Sequence, residues 1–429
     1  MESKISPIIT IIIPAYNSEK FILKCINSIP RDKRIEIIII DDFSKKILKN
    51  QINFEKFINI KIFRNKYNLG PGLSRNFGME YSKGKYILFL DSDDILNKKN
   101  ILELIELVKY KENADFYLCR FNKDNFPKDN LFFLKTLPKN IFRETLLKKI
   151  IYKNYPIDEC WSILFNKKFL TKNNILFPKK IRIAEDEYFL AKVLTEFKNA
   201  KTFNKTIYIH NDRKNSLSSN LSDYDSHIDF INLFNLFCKL YLKKNYKKNE
   251  NLLLIRYIKV LYRRIISLLF IRSSNELKNI SKLIKKNYSL KTLKILDDLK
   301  LSEYKSLAKV TNIYKLKNLM NENINTFERN FGKPKNIYIY CKSLLARSLV
   351  KICENLDINI IAIVDDAKNI EKKFSNYQLI NSASMIKSIK KNKLSYKIIV
   401  ANNRKLTFKK IKKKLTENRI SSKNILHFY

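Results

Sequence analysis

Apolar and polar positions along the first ~220 residues alternate between strand-like runs and helix-like periodicity, the pattern of an α/β layer architecture. Ile8 to Ile13 is a β-branched run ended by Pro14, as expected of a strand buried on both faces. After it, Phe21, Ile22, Cys25, Ile26 and Ile29 fall at helical spacing, with Ser18 placed to cap that helix. Ile35 to Ile40 is a second buried strand, stopping at Asp41-Asp42, and Ile58 to Phe63 reads as a third. The segment Asn68 to Gly72 carries Gly and Pro and leads into a helix predicted from about Leu73 to Tyr81. Tyr86 to Leu90 is a fourth strand, ending at Asp91-Ser92-Asp93-Asp94.

The pattern changes twice further on. From about Ser222 to Asn330 it is helical and basic, without a single Gly or Pro. The last ~100 residues return to α/β: strands at Asn336 to Tyr340, Asn359 to Val364 and Tyr396 to Ala401, and helices at Leu344 to Leu356 and Thr407 to Asn418. We therefore expect three regions: an α/β domain over 1–220, a basic helical region over 221–330, and a Rossmann-like α/β domain over 331–429. In the last, the first turn reads Cys341-Lys342-Ser343, without the glycines that let a backbone approach a pyrophosphate.

Composition sharpens this mainly through what is scarce. The 429 residues include 5 Gly, 1 Trp, 3 His and 6 Cys. Gly70 and Gly72 begin a G-x-G, but Arg75 stands where a dinucleotide fingerprint needs its third glycine. Gly84-Lys85 is followed by Tyr86, so there is no P-loop, and no C-x-x-C exists for a zinc finger or redox pair. No secretory leader is read at the start, so reduced thiols and a cytoplasmic setting are expected.

Lys plus Arg number 85 against 41 Asp plus Glu, a formal charge of +44. The lysines are spread along the whole chain in no nucleic-acid-binding arrangement, so no specific nucleic-acid partner is expected. One stretch, Leu252 to Ile271, sets Arg256, Lys259, Arg263 and Arg264 on one helical face opposite apolar residues. It reads either as a helix lying on an anionic membrane surface or as a core helix with a solvated basic face. No run reaches the ~18 apolar residues of a membrane span.

The chemistry concentrates where buried strands end, because open α/β sheets bind ligands at the carboxyl edge of their strands. Asp91 and Asp93 share one side of an extended segment, a spacing suited to a hard divalent cation that also takes diphosphate oxygens.

The order of the motifs resembles family 2 glycosyltransferases, inverting enzymes of the GT-A fold that use nucleoside-diphosphate sugars. ITIIIPAYNSEKFILKCINSI (9–29) is similar to the family's first strand, Pro-x-Tyr-Asn turn and first helix. IEIIIIDDFS (35–44) is similar to its second strand and Asp-Asp-x-Ser end, with Phe43 in place of the usual Gly. NLGPGLSRNFGMEYSKGKYILFLDSDD (68–94) and AEDEYF (184–189) resemble its glycine loop, Arg-Asn helix, D-x-D strand and Glu-Asp motif.

The resemblance implies roles. Pro14, Ala15, Tyr16 and Asn17 would wall the nucleotide pocket, Asp42 would accept hydrogen bonds from the base, and Arg75 would add positive charge near the donor. Asp91 and Ser92 would face the donor, and Asp93 would hold Mn²⁺ or Mg²⁺, with Asp91 and His210 as further candidate ligands; His210 is alternatively structural. Asp186 would be the general base, with Glu185 the neighbouring alternative. Trp161 would stack on an acceptor sugar or sit in the core. As the only Trp, it also leaves no Gln-x-x-Arg-Trp signature of the family's processive, membrane-embedded members.

The expected activity is hexosyl or N-acetylhexosaminyl transfer from a UDP-sugar to a glycan or glycolipid acceptor of a bacterial surface, such as capsule or lipooligosaccharide. The enzyme would be cytoplasmic, at most peripheral at the inner face of the membrane. The alternatives are a basic membrane- or nucleic-acid-binding protein with an inactive transferase fold, or a second activity in the C-terminal domain.

Overall fold

The isoleucine runs become adjacent parallel strands, since only a strand covered on both faces hides every side chain of such a run. Strands β1 (Ile9–Ala15) and β2 (Ile35–Asp41) are buried almost throughout. They pair in register from Ile9↔Ile35 to Ala15↔Asp41. Strand β3 (Ile60–Arg64) flanks β2 on the outside and is only half-buried, as an edge strand should be. Strand β4 (Tyr86–Phe89) pairs parallel on the other side of β1.

The protein is described here from a computed structural model, over residues 6–51, 59–110, 114–123, 137–152, 157, 159–211, 223–243, 246–269, 272–287, 313–332, 334–340, 344–366, 373–374, 377–391, 395–401 and 405–428. The chain divides into two units. The first comprises Met1–Ser219 with Tyr246–Leu253, the second Asn220–Asn245 with Leu254–Tyr429.

Among the described residues, the sheet of the first unit has nine strands. Beyond β4 come β8 (Ile163–Asn166), β6 (Phe116–Lys123), β9 (Asn199–His210) and β5 (Ile95–Leu96), with β7 (Asn140–Phe142) also paired to β9. The direction reverses at β8, which runs antiparallel to both β4 and β6. The parallel half has spatial order β3-β2-β1-β4, so successive connections leave β1 in opposite directions, and the crevice at that switch point is where such sheets take ligands. Ala15, Asp41 and Arg64 stand side by side at the carboxyl edge.

Three local expectations need correction. The first helix is Ile22–Asn27, and the Ser18 carbonyl, not its hydroxyl, closes the entry by accepting the N–H groups of Phe21 and Ile22 at 2.9 Å each. The third strand is described over Ile60–Arg64 and ends one residue beyond the expected Phe63, while the expected start at Ile58 lies outside the described residues. The helix after the glycine loop starts at Pro71, because proline's fixed φ suits a first helical position where its missing N–H costs nothing.

Four helices are described before the second sheet, Tyr224–Lys243, Lys248–Leu269, Ser274–Asn287 and Ile313–Phe331, of which Lys248–Leu253 belongs to the first unit and the rest to the second. Over its described part, 252–269, the basic stretch takes the core alternative. Leu254, Ile258, Leu261, Ile265 and Leu269 are fully buried, and Arg256, Lys259 and Arg264 are half-buried rather than solvated. The Arg264 guanidinium lies 5.3 Å from the ring centroid of Phe230. Among the described residues, no helix is long and apolar enough to cross a membrane.

The second sheet centres on β10 (Asn336–Tyr340), flanked by β11 (Asn359–Val364) and β12 (Lys397–Ala401), all parallel. Its Rossmann-like layout agrees with the pattern of the sequence. The turn 341–343 lies outside the described residues. Five cysteines, Cys25, Cys119, Cys160, Cys238 and Cys353, are buried and unbridged.

Candidate active site

The site is built from the carboxyl ends of β1, β2 and β4 and from the starts of two helices, Pro71–Tyr81 (α3, after Ile22–Asn27 and Leu48–Gln51) and Glu185–Glu196. The two aspartates after β2 hold the edge together. Asp41, 1% exposed, accepts the Ser44 N–H at 2.9 Å and the Leu48 N–H at 3.3 Å, and pairs with Arg64. Asp42, 3% exposed, accepts from Asn65 Nδ2 at 2.7 Å and from the N–H groups of Leu69 at 2.8 Å and Gly70 at 2.7 Å. Gly70 has φ +87, a conformation glycine adopts without strain, and it turns its N–H onto Asp42 at the mouth of α3. Asp42 thus anchors the glycine loop. The base contact expected of it finds both carboxylate oxygens engaged and almost no exposed surface.

Pro14 and Ala15 form the end of β1, with Ala15 buried. Asn17 stitches this end to the next one: its N–H donates to Ser44 Oγ at 2.9 Å and its Oδ1 accepts the Lys45 N–H at 2.8 Å. Tyr16 between them is open to solvent.

One turn into α3, Arg75 joins the two acidic motifs. Its Nη1 donates to Glu185 Oε1 and its Nη2 to Asp91 Oδ1, both at 2.7 Å, and its guanidinium lies 5.4 Å from the Phe177 ring centroid. Arg75 is buried, and a buried cation needs this kind of compensation.

The close approach of the two helices depends on Gly72. A Cβ there would lie 2.8 Å from Glu185 Cγ and 3.2 Å from Phe177 Cβ. Gly72→Ala is therefore expected to destabilise the fold by about 1–3 kcal/mol through overpacking and to push Glu185 off Arg75. A denaturant midpoint measured beside activity reads both effects; an unchanged midpoint would show that the helices are not closely packed here.

Glu185 and Asp186 open their helix after Ala184, a non-glycine residue at φ +60, so local strain accompanies their placement. Asp186 is half-buried, and its Oδ1 accepts the Glu187 N–H at 3.0 Å. Burial raises the Asp186 pKa well above the usual aspartate range, the Glu185, Glu187 and Glu159 carboxylates add to the rise, and Arg75 opposes it. A carboxyl group held in this way gains basicity, which suits it to accept a proton.

The D-S-D-D turn is held from β9. Tyr208 OH donates to Asp94 Oδ2 at 2.5 Å, His210 Nδ1 lies 3.0 Å from the same oxygen, and the Asn211 N–H donates to Asp94 Oδ1 at 2.8 Å. Asn211 Nδ2 also donates to the Asp93 carbonyl at 2.7 Å, and Ser92 is buried within the turn. His210 therefore meets Asp94, the one acid of the motif assigned no role from sequence. The signal was present in period-two alternation, which sets Tyr208 and His210 on one face of β9.

Trp161 sits in the core at 5% exposure. Its ring stacks against Tyr208 at 4.7 Å and His210 at 5.6 Å and meets Phe121 edge-on at 4.6 Å. It braces β9 behind the D-S-D-D turn and presents no open face to a sugar.

The metal ligands expected from the sequence are Asp93, Asp91 and His210. Among the described residues, no three His, Cys, Asp or Glu side chains converge as a ligand group. Asp91 is engaged by Arg75 and His210 by Asp94. A Mg²⁺-type cation needs only one or two protein carboxylates when diphosphate and water supply its other oxygens, so Asp93 fits a substrate-borne cation and not a closed protein cage.

Residues 10–172 match the family model Glycosyl transferase family 2. The chain is 28% identical over 195 residues to the poly(ribitol-phosphate) beta-N-acetylglucosaminyltransferase TarS of Staphylococcus aureus, covering 43% of this chain and 32% of that protein. It is 32% identical over 195 residues to a poly(ribitol-phosphate) beta-glucosyltransferase of Bacillus spizizenii, covering 42% and 28%. The chain thus spans about a third of the length of these relatives. It is also 28% identical over 257 residues to TarP of Staphylococcus aureus, a poly(ribitol-phosphate) beta-N-acetylglucosaminyltransferase, covering 57% and 76%.

Among solved structures, residues 1–349 of S. aureus TarS superpose with TM-score 0.53 at 20% identity, covering 74% of this chain and 92% of that one. The same fragment in complex with UDP-GlcNAc gives 0.51. At this identity the likeness shows the fold, a GT-A domain.

Proposed function

With residues 10–172 forming a family 2 glycosyltransferase domain, we propose that this protein transfers a sugar, with inversion, from a UDP-sugar to a hydroxyl of a bacterial surface glycan. The observation that carries the reading is the junction of Glu185 and Asp91 on Arg75, which sets the Glu-Asp helix start against the D-S-D-D strand end. Such a junction brings a basic carboxyl group beside the edge where a nucleoside diphosphate would lie.

The acceptor hydroxyl gives its proton to the Asp186 carboxylate as its oxygen bonds to the anomeric carbon. The bond from that carbon to the diphosphate oxygen breaks, its electron pair leaves with UDP, and a single displacement inverts the anomeric centre. Asp186 is chosen over Glu185 because Glu185 is committed to Arg75 at 2.7 Å. Arg75 keeps Glu185 and Asp91 in place while remaining a positive charge near the donor. Asp93 would hold Mn²⁺ or Mg²⁺, whose chemistry is to neutralise charge on the departing diphosphate.

The relatives' names make UDP-N-acetylglucosamine and UDP-glucose the first donors to try, and polyol-phosphate polymers the first acceptors. The test is release of UDP from a panel of nucleotide sugars with Mn²⁺, with and without chelator. Turnover of one UDP-sugar is expected, and Asp93→Ala is expected to abolish the metal's effect on UDP affinity. No turnover and no UDP binding would overturn the reading; metal dependence surviving in Asp93→Ala would overturn the metal assignment alone.

A further inference from the structure

Phe43 occupies a position the transferase reading leaves unexplained. It follows Asp42 at the carboxyl edge where the family pattern has glycine, and its φ of +67 is one that a bulky side chain adopts only at a cost. Its neighbours Asp42 and Ser44 are buried, yet Phe43 is 48% exposed. A costly backbone conformation that ends in an exposed aromatic ring, at the edge where ligands bind, points to a use for the ring.

The ring is backed by a fixed cation. The Arg64 guanidinium lies 5.1 Å from the Phe43 centroid. Its Nη1 pairs with Asp41 Oδ2, and its Nη2 donates to the Ser44 carbonyl at 2.9 Å, so Arg64 is held independently of Phe43. The segment is also tied to the end of β1, where the Asp42 N–H donates to the Ala15 carbonyl at 2.8 Å and the Asn17 N–H to Ser44 Oγ at 2.9 Å. Exposed Tyr16 lies within that tied segment. Asp42 already accepts from Asn65, Leu69 and Gly70, so its carboxylate is committed chiefly to the loop.

We infer that Phe43, seated on Arg64, is the stacking platform for the base of the nucleoside diphosphate, so that this chain holds the base by its face. The inference rests on the nucleotide-sugar reading above and adds a residue that determines donor affinity. Stacking on an aromatic ring serves any base, because every base has a π-face.

The test is calorimetric titration of the wild-type protein, Phe43→Gly and Phe43→Trp with UDP, with uridine, and with inorganic pyrophosphate plus Mn²⁺. Phe43→Gly is expected to weaken UDP and uridine by about tenfold or more, to leave pyrophosphate unchanged, and to melt no lower than wild type because glycine relieves the backbone. Phe43→Trp is expected to keep UDP affinity. Unchanged UDP affinity in Phe43→Gly would overturn the platform, as would an equal loss for pyrophosphate, which marks disruption of the whole edge. A wild-type protein that binds no UDP would instead overturn the transferase reading on which the platform stands.

Discussion

Asp186→Asn is expected to lower turnover by about 10²–10⁴-fold, the usual contribution of a positioned general base. Donor affinity should be nearly unchanged. The amide keeps the shape of the carboxylate and an oxygen for the Glu187 N–H, so the helix start should survive. Only the capacity to take a proton is lost. Two further readouts separate this from a structural effect.

The first is the pH profile. Burial, with Glu185, Glu187 and Glu159 beside it, raises the Asp186 pKa. Wild-type turnover should therefore climb with pH along an acidic limb above the ordinary aspartate range, and the residual activity of the variant should lack that limb. The second is stability. A carboxyl group that binds its proton more tightly folded than unfolded makes the protein lose stability as pH rises from the ordinary aspartate value to the raised one. Above the raised value that penalty is fully present in the wild type and absent from the amide. Asp186→Asn should then melt above the wild type on the alkaline side of that raised value, and the gap should close as pH falls to the ordinary aspartate range. A variant that melts lower and loses donor binding as well would show that Asp186 is structural.

Arg75→Met is expected to be the most destabilising single change at the site. The substitution leaves Glu185, with 8% of its side chain exposed, and Asp91 without the cation between them. Removing one member of a buried charge cluster costs about 3–5 kcal/mol. For a domain of this size that corresponds to a fall in melting temperature of roughly 6–20 °C. The sign of the pH dependence follows from which form the variant tolerates. Without Arg75 the uncompensated carboxylates favour protonation, so the loss should be greatest at neutral pH and shrink as acid neutralises them. Thermal melts at two pH values check this; a loss that is small or independent of pH would mean the triad carries little charge energy.

The sequence disclosed strand and helix periodicity well, because fully buried parallel strands write long isoleucine runs and helices write a three-to-four residue stripe. Ile8 to Ile13 and Ile35 to Ile40 are legible for that reason. It disclosed which residues gather at the strand ends, because motif order follows sheet topology. It did not disclose which acids are spent inside the protein. Asp41 and Asp42 are equivalent in a string of letters, and both turn out to hold loops in place. Asp94 is the acid that meets His210, since Tyr208, His210 and Asn211 come to it from a strand more than a hundred residues away. Trp161 had even claims to a sugar face and to the core until its stacking partners were known. The Arg75 bridge joins residues 110 apart and leaves no periodic trace.

The most direct measurement is proton NMR of the sugar first released when the protein, with Mn²⁺, hydrolyses an α-linked UDP-sugar slowly in the absence of acceptor. Single displacement by water activated at Asp186 should yield the β anomer first, before mutarotation, and Asp186→Asn should abolish its appearance. First appearance of the α anomer, or release undiminished in Asp186→Asn, would contradict the inverting mechanism and the role assigned to Asp186.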